Sequence, residues 1–174
     1  MRILGVDPGL LVTGYAVIEV PEGRFEDSEI DLVEAGVVRT NGPADGIAAR
    51  LKKIHDSLSE LITETRPDAI VIEKLYAHYK HPATAILMGH ARGVVCLLSG
   101  AHGLPLHSMA STHVKKAVTG AGHASKEQIQ RMIQNLLGLK ELPKPPDAAD
   151  AIAIALAYAF NKKMKSSLAQ RMTS

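Results

Sequence analysis

Four carboxylates stand where an ionised side chain needs a reason. Asp7 closes the apolar run Ile3, Leu4, Gly5, Val6, and Glu73 closes the run Ala69, Ile70, Val71, Ile72. A charge at the end of such a run is costly unless something compensates it. Asp147 and Asp150 lie three apart in a helical pattern, which sets both on one face of a helix's first turn. Open α/β sheets place ligands at strand ends, so Asp7 and Glu73 converge if their strands are neighbours, and the Asp147 face can meet them. Carboxylates about 5 Å apart repel by roughly 3 kcal/mol per pair at an effective dielectric near 20. Three or four of them are untenable bare, and divalent cations resolve the conflict, because carboxylate oxygens are hard ligands suited to Mg²⁺ or Mn²⁺. Two such ions can activate a water and stabilise the leaving oxygen of an in-line phosphodiester displacement. Structural alternatives stand beside this. Asp7 before Pro8 and Gly9 can initiate a turn, Asp147 can cap a helix, and Asp150 can favour its positive end. Capping is the better reading of Asp147 alone, and metal binding the better reading of the four together.

These residues need a scaffold, and 174 residues with 46% apolar content are enough for one core. A single domain over residues 1–160 is expected, followed by a polar tail, residues 161–174, expected to fray. No stretch approaches eighteen uncharged apolar residues and the first residues lack a signal peptide's regions, so a soluble, cytoplasmic protein without membrane contact is expected. The single Cys96, in the run Val94, Val95, Cys96, Leu97, Leu98, is expected to be a buried small hydrophobe. A net charge of +2 does not announce a nucleic-acid binder, so charge distribution must decide. Aromatics at 3%, with no Trp, disfavour modules that stack successive bases on a sheet, so nucleic-acid contacts should be mainly to backbone.

Three alternating strands open the chain, at residues 2–7, 14–20 and 30–39. An amphipathic helix follows over 44–65, with Ile47, Leu51, Ile54, Leu58 and Leu61 on one face. Ala69 to Ile72 reads as a strand buried on both sides. Pro82 suits the first turn of a helix running to about residue 98. A short strand at 104–108 and a helix at 111–118, stopped by Gly120 and Gly122, come next. Ser125 and Gln128 form a capping box for a helix carrying Ile129, Met132, Ile133, Leu136 and Leu137. Pro143, Pro145 and Pro146 then precede a last helix over 147–160. This order calls for a mixed five-stranded sheet with helices on both faces, an α/β layout that fits the ribonuclease H-like fold among others.

The segments LGVDPGLLVTGYAVIE, VIEKLY, GHARG, VKKAVTGAGHASKEQIQ and DAADAIAIALAYA, in this order and spacing, resemble the RuvC family of Holliday-junction resolvases. The resemblance covers nearly the whole chain. It implies a ribonuclease H-like fold, a homodimer, and Mg²⁺-dependent symmetric nicking of four-way DNA junctions, with two ions per site and Mn²⁺ as a substitute. It also implies the RuvA–RuvB branch-migration complex as a partner. By this likeness Asp7, Glu73, Asp147 and Asp150 are catalytic metal ligands, and Lys115 and Lys126 lie near the scissile phosphate. Otherwise both lysines read as solvated. The likeness further implies DNA contacts from Tyr76, by stacking on an unpaired base, and from Arg92, Lys115, Lys116, Gly120, Gly122 and Lys126. Tyr76 reads equally as a loop residue covering the sheet edge, Arg92 as a structural donor, and the two glycines as a helix stop.

Departures from the family pattern fall in AHYKHP, residues 77–82, which is richer in His and longer by one residue, and at His90, where Gln is usual. They bear on base contacts and cut-site preference. His78, His81 and His123 lack the Cys or tight His pairing that zinc requires. Two rivals share parts of the pattern: a YqgF-like nuclease acting on RNA, and an actin-like nucleotide-binding module suggested by Asp7-Pro8-Gly9. The apolar helix after Pro82 is the expected dimer face.

Overall fold

In the computed structural model, residues 1–23, 25–74 and 82–172 are described, without the side chains of residues 43, 82, 83 and 165–172. Five strands, β1 (Arg2–Asp7), β2 (Val12–Glu19), β3 (Asp31–Arg39), β4 (Ala69–Glu73) and β5 (Leu106–Met109), form one sheet in the order β3-β2-β1-β4-β5. β2 runs antiparallel to β1 and β3, whereas β1, β4 and β5 are mutually parallel. Parallel neighbours need crossovers, which α1 (Ile47–Thr65) and α2 (Pro82–Ala101) supply. α3 (Ser111–Thr119), α4 (Lys126–Leu136) and α5 (Pro146–Met172) complete the chain.

The period-2 alternation of the strands sorts side chains into two cores. Leu4, Val6, Val17, Ile70 and Ile72 pack with Ile54, Leu58, Ala91, Val95 and Leu98 of α1 and α2. Ile3, Ala16, Ile18 and Val71 pack on the other face with α3, α4 and α5. Helices therefore cover both faces of a mixed sheet, as the element order required.

α5 is the central helix of the second core. Ala148, Ala149, Ala151, Ile152, Ala153, Ile154, Ala155, Leu156, Ala157 and Ala159 are all nearly or fully buried. Small side chains let its backbone lie directly against the sheet, and two glycines receive it. A Cβ on Gly5 would stand 2.3 Å from the Ala151 carbonyl oxygen, and one on Gly14 would stand 2.0 Å from that of Asp147.

Boundaries shift by a few residues from the sequence reading. Two differences are larger. α5 continues to Met172 instead of ending near residue 160, because the polar residues 161–172 contain good helix formers and only one turn's worth of poor ones. Cys96 is exposed, a correction to its expected burial. α2 is apolar around its circumference but only the Ala91, Val95 and Leu98 face meets the core, leaving Ile86, Leu87, Met88 and Leu97 exposed beside Cys96. By length and composition its segment Thr84–Ala101 could cross a membrane, at mean hydropathy 1.3 and 22% buried. Arg92 within it is instead bonded into the protein.

The Gly5 seat yields a direct test. Gly5→Ala must push α5 off β1 against backbone atoms that cannot rotate away, an overpacking cost of about 1–3 kcal/mol. The melting temperature should fall by several degrees, and an unchanged value would show that α5 is not held by this contact.

Candidate active site

Residues Val6 and Ile72 are paired across β1 and β4, so Asp7 and Glu73, each one position further, end side by side at the same edge. On its other side Asp7 is paired with Gly14, the residue on which the Asp147 carbonyl rests. The close seat of α5 thus brings the first turn of that helix, with Asp147 and Asp150, to the ends of β1 and β4. Pro146 opens the helix, where a missing N–H costs nothing.

Electrostatics report the convergence. Burial pushes the Asp7 carboxyl up to about 7, and the fields of Asp150, Glu73 and Asp147 push it the same way, against Lys126. Glu73 is also raised, chiefly by burial, with a hydrogen bond from Ser111 opposing the shift and the Asp150 field adding to it; Lys115 and Lys126 oppose it. The Lys126 ammonium donates to Asp150 Oδ2 at 3.0 Å, and this bond raises its own pKa. Among the described residues no three acidic or imidazole groups are already gathered at ligand spacing. Asp150 is drawn toward Lys126, and the remaining carboxylates repel one another. The donor set nevertheless fits a divalent cation: four hard carboxylates share one half-buried edge, where burial first and neighbouring carboxylates second make Asp7 and Glu73 protonate more readily than free acids.

The other expected residues divide. Arg92 on α2 donates from Nη1 to the Glu73 carbonyl oxygen and from Nη2 to Ser108 Oγ at 2.9 Å, so it ties the end of β4 to β5. Its guanidinium therefore has a structural task at the site. Lys115 lies close enough to act on Glu73, whereas Lys116 faces a separate groove of about 680 Å³ with Thr112, His113, Phe160 and Met164. Gly120 is the left-handed cap of α3, at φ 79°, the helix stop of the alternative reading. A Cβ on Gly122 would lie 3.4 Å from the Thr112 carbonyl oxygen. Tyr76 and residues 77–81 lie outside the described residues. Sequence reasoning missed Ser111, which holds Glu73, and the two glycines that seat α5. For Ser111 the only signal was its place at the start of a helix.

A ribonuclease H-like sheet with acidic residues on its first strand, its fourth strand and its last helix defines a class of phosphodiester-cleaving enzymes. A family model described as crossover junction endodeoxyribonuclease RuvC matches residues 3–158. A curated relative of that name from Rhodopirellula baltica is 44% identical over 169 residues, covering 96% of this chain and 92% of its own. A solved structure, Thermus thermophilus RuvC in complex with a Holliday junction substrate, superposes with a TM-score of 0.87 at 33% identity, covering 95% of this chain and 97% of that one. The yeast mitochondrial resolvase Ydc2, at 14% identity and a TM-score of 0.65, shares the fold. The chain belongs to the RuvC family of crossover junction endodeoxyribonucleases, which are metal-dependent nucleases.

The Asp7 shift sets the pH response of the metal-free protein. Its folded value of about 7 lies above the unfolded 3.8, so the folded state binds the extra proton between these values. Stability therefore falls as pH rises from about 4 to about 7, and the penalty is complete above that. Asp7→Asn should raise the melting temperature at pH 8 and lose this advantage near pH 4. Added Mg²⁺ should stabilise the wild type more than the variant. Equal melting temperatures for both proteins at pH 8 would contradict the crowded-carboxylate account.

Proposed function

We propose that this protein resolves Holliday junctions in recombination and DNA repair, nicking two strands symmetrically at a metal site held by Asp7, Glu73, Asp147 and Asp150. The observation that carries this reading is the meeting of the β1 and β4 ends with the α5 turn in a chain so similar to a RuvC bound to junction DNA. Two Mg²⁺ ions, with Mn²⁺ as a substitute, would be held there and would supply Lewis-acid activation of water and stabilisation of the leaving oxygen. The rest falls to the chain's own groups. Ser111 and Arg92 orient Glu73 through its carboxylate and its carbonyl. Lys126 and Lys115 set ammonium charge beside the carboxylates, where negative charge develops on a phosphate under attack. Tyr76 stacks on an unpaired base, and Lys116, Gly120 and Gly122 contact backbone beside Lys115.

A homodimer supplies two sites for two strands. The exposed apolar face of α2, with Ile86, Leu87, Met88 and Leu97, supports that helix as the dimer contact. Four-way junction DNA is the substrate, the RuvA–RuvB branch-migration complex the partner, and the cytoplasm the location.

Incubation with a synthetic four-way junction and Mg²⁺, beside linear duplex and RNA-hybrid controls, tests the reading. Paired symmetric nicks confined to the junction are expected, and equal cutting of the RNA hybrid would refute it. In the same assay Asp7→Asn should keep junction binding and lose cleavage ~100-fold or more, and Lys126→Ala should slow cleavage by a larger factor than it weakens binding. A fully active Asp7→Asn would remove Asp7 from the site. Leu97→Glu, placing a charge on the exposed α2 face, should give a monomer by sedimentation and uncouple the two nicks; an intact dimer would move the interface elsewhere.

A further inference from the structure

The guanidinium of Arg50 has no assigned task. Among the described residues its Nε is the one buried side-chain nitrogen or oxygen without a hydrogen-bond partner. Among the described residues no ion pair reaches the side chain, and its terminal nitrogens, also without a partner among them, are not sealed from solvent. The stem is thus fixed against the protein while the donor fork faces outward, an arrangement that loses little rotamer freedom when an acceptor arrives.

Arg50 sits at the same end of the sheet as Asp7. Thr40, just after β3, donates its N–H to the Leu11 carbonyl oxygen at 3.0 Å and its hydroxyl to that of Leu10 at 2.8 Å. These bonds strap the β3–α1 connection to the turn that follows Asp7. Arg50 lies one helical turn before Ile54, which packs with Leu4, Val6 and Leu10. It therefore occupies the sheet-facing side of α1 at the end nearest that turn. The helix offers it no anion of its own: Gly46 makes no side-chain cap bond, and the first turn has no acidic residue. A cation there also opposes the helix dipole, so the position costs helix stability.

We propose that Arg50 is a backbone-phosphate contact, extending the DNA path from the Asp7 edge across the β1–β2 turn to the start of α1. This rests on the junction-nuclease reading for its ligand. A phosphate oxygen is the missing acceptor, and a planar fork suits it better than a point charge. Arg50 is a positioning residue: it holds a strand beside the site and takes no part in bond cleavage.

The test is junction binding without divalent ions across a salt series, for wild type, R50Q and R50K. R50Q should weaken binding about fivefold near physiological salt and reduce the slope of log K against log salt by about one, with no loss in melting temperature. R50K should keep the slope and bind less tightly than wild type. An unchanged slope for R50Q overturns the proposal, as does a R50Q that fails to fold together with a R50K that binds as wild type. Wild-type protein that binds junctions with ordinary salt dependence yet does not nick them in Mg²⁺ counts against the resolvase reading alone.

Discussion

The site depends on how closely the backbone of α5 approaches the sheet. Acidic residues 140 positions apart in sequence can share an edge only if the helix bearing Asp147 lies against β1 and β2 without an intervening layer of side chains. Gly14 receives the Asp147 carbonyl, Gly5 receives that of Ala151, and an almost unbroken alanine surface lets the helix settle between them. Dense packing then transmits position faithfully, because a core at this density deforms little. The first turn of α5 is therefore located by its second and third turns.

Such precision opposes the chemistry it serves. Packing buries carboxylates and brings like charges together, and the raised pKa values of Asp7 and Glu73 register burial first and repulsion second. The fold answers in part with its own cations. Lys126 bonds to Asp150, Lys115 acts on Glu73, and Ser111 donates to Glu73. None of these neutralises Asp7, whose burial is the largest cause of its shift. A deficit of positive charge remains at an edge whose donors are all hard carboxylates, the chemistry that suits a divalent cation. Stability given up locally is recovered in the two apolar cores on either side of the sheet, which the acidic edge does not interrupt.

Much of this was legible in the sequence, and for definite reasons. The runs ending at Asp7 and Glu73 are short, apolar and abruptly charged, so both strands and the residues that end them could be read directly. Ser125 and Gln128 formed their reciprocal cap as the spacing required, with Ser125 N–H donating to Gln128 Oε1 and Gln128 N–H to Ser125 Oγ. What stayed hidden was carried by contacts between distant segments. Nothing local distinguishes Gly14 as a helix seat from Gly14 as a strand irregularity. Arg92 reads in the sequence as either a DNA contact or a structural donor, and only the placing of β4 beside β5 shows which groups it holds. The continuation of α5 past residue 160 escaped a reading based on apolar periodicity, since its residues are polar but helix-favouring.

The error at Cys96 has a different origin and points outward. An apolar neighbourhood along a helix does not by itself bury a residue, because α1 and the sheet cover only one side of α2. A helix apolar all round reaches its expected burial only when a second body covers the other side. Ile86 and Leu97, each about 60% exposed, are the residues such a body would cover. A second copy of the chain meets the requirement under two-fold symmetry, because the same face is then buried on both partners. The pattern that misplaces Cys96 within one chain is thus the pattern expected of a helix whose outer face a second copy covers.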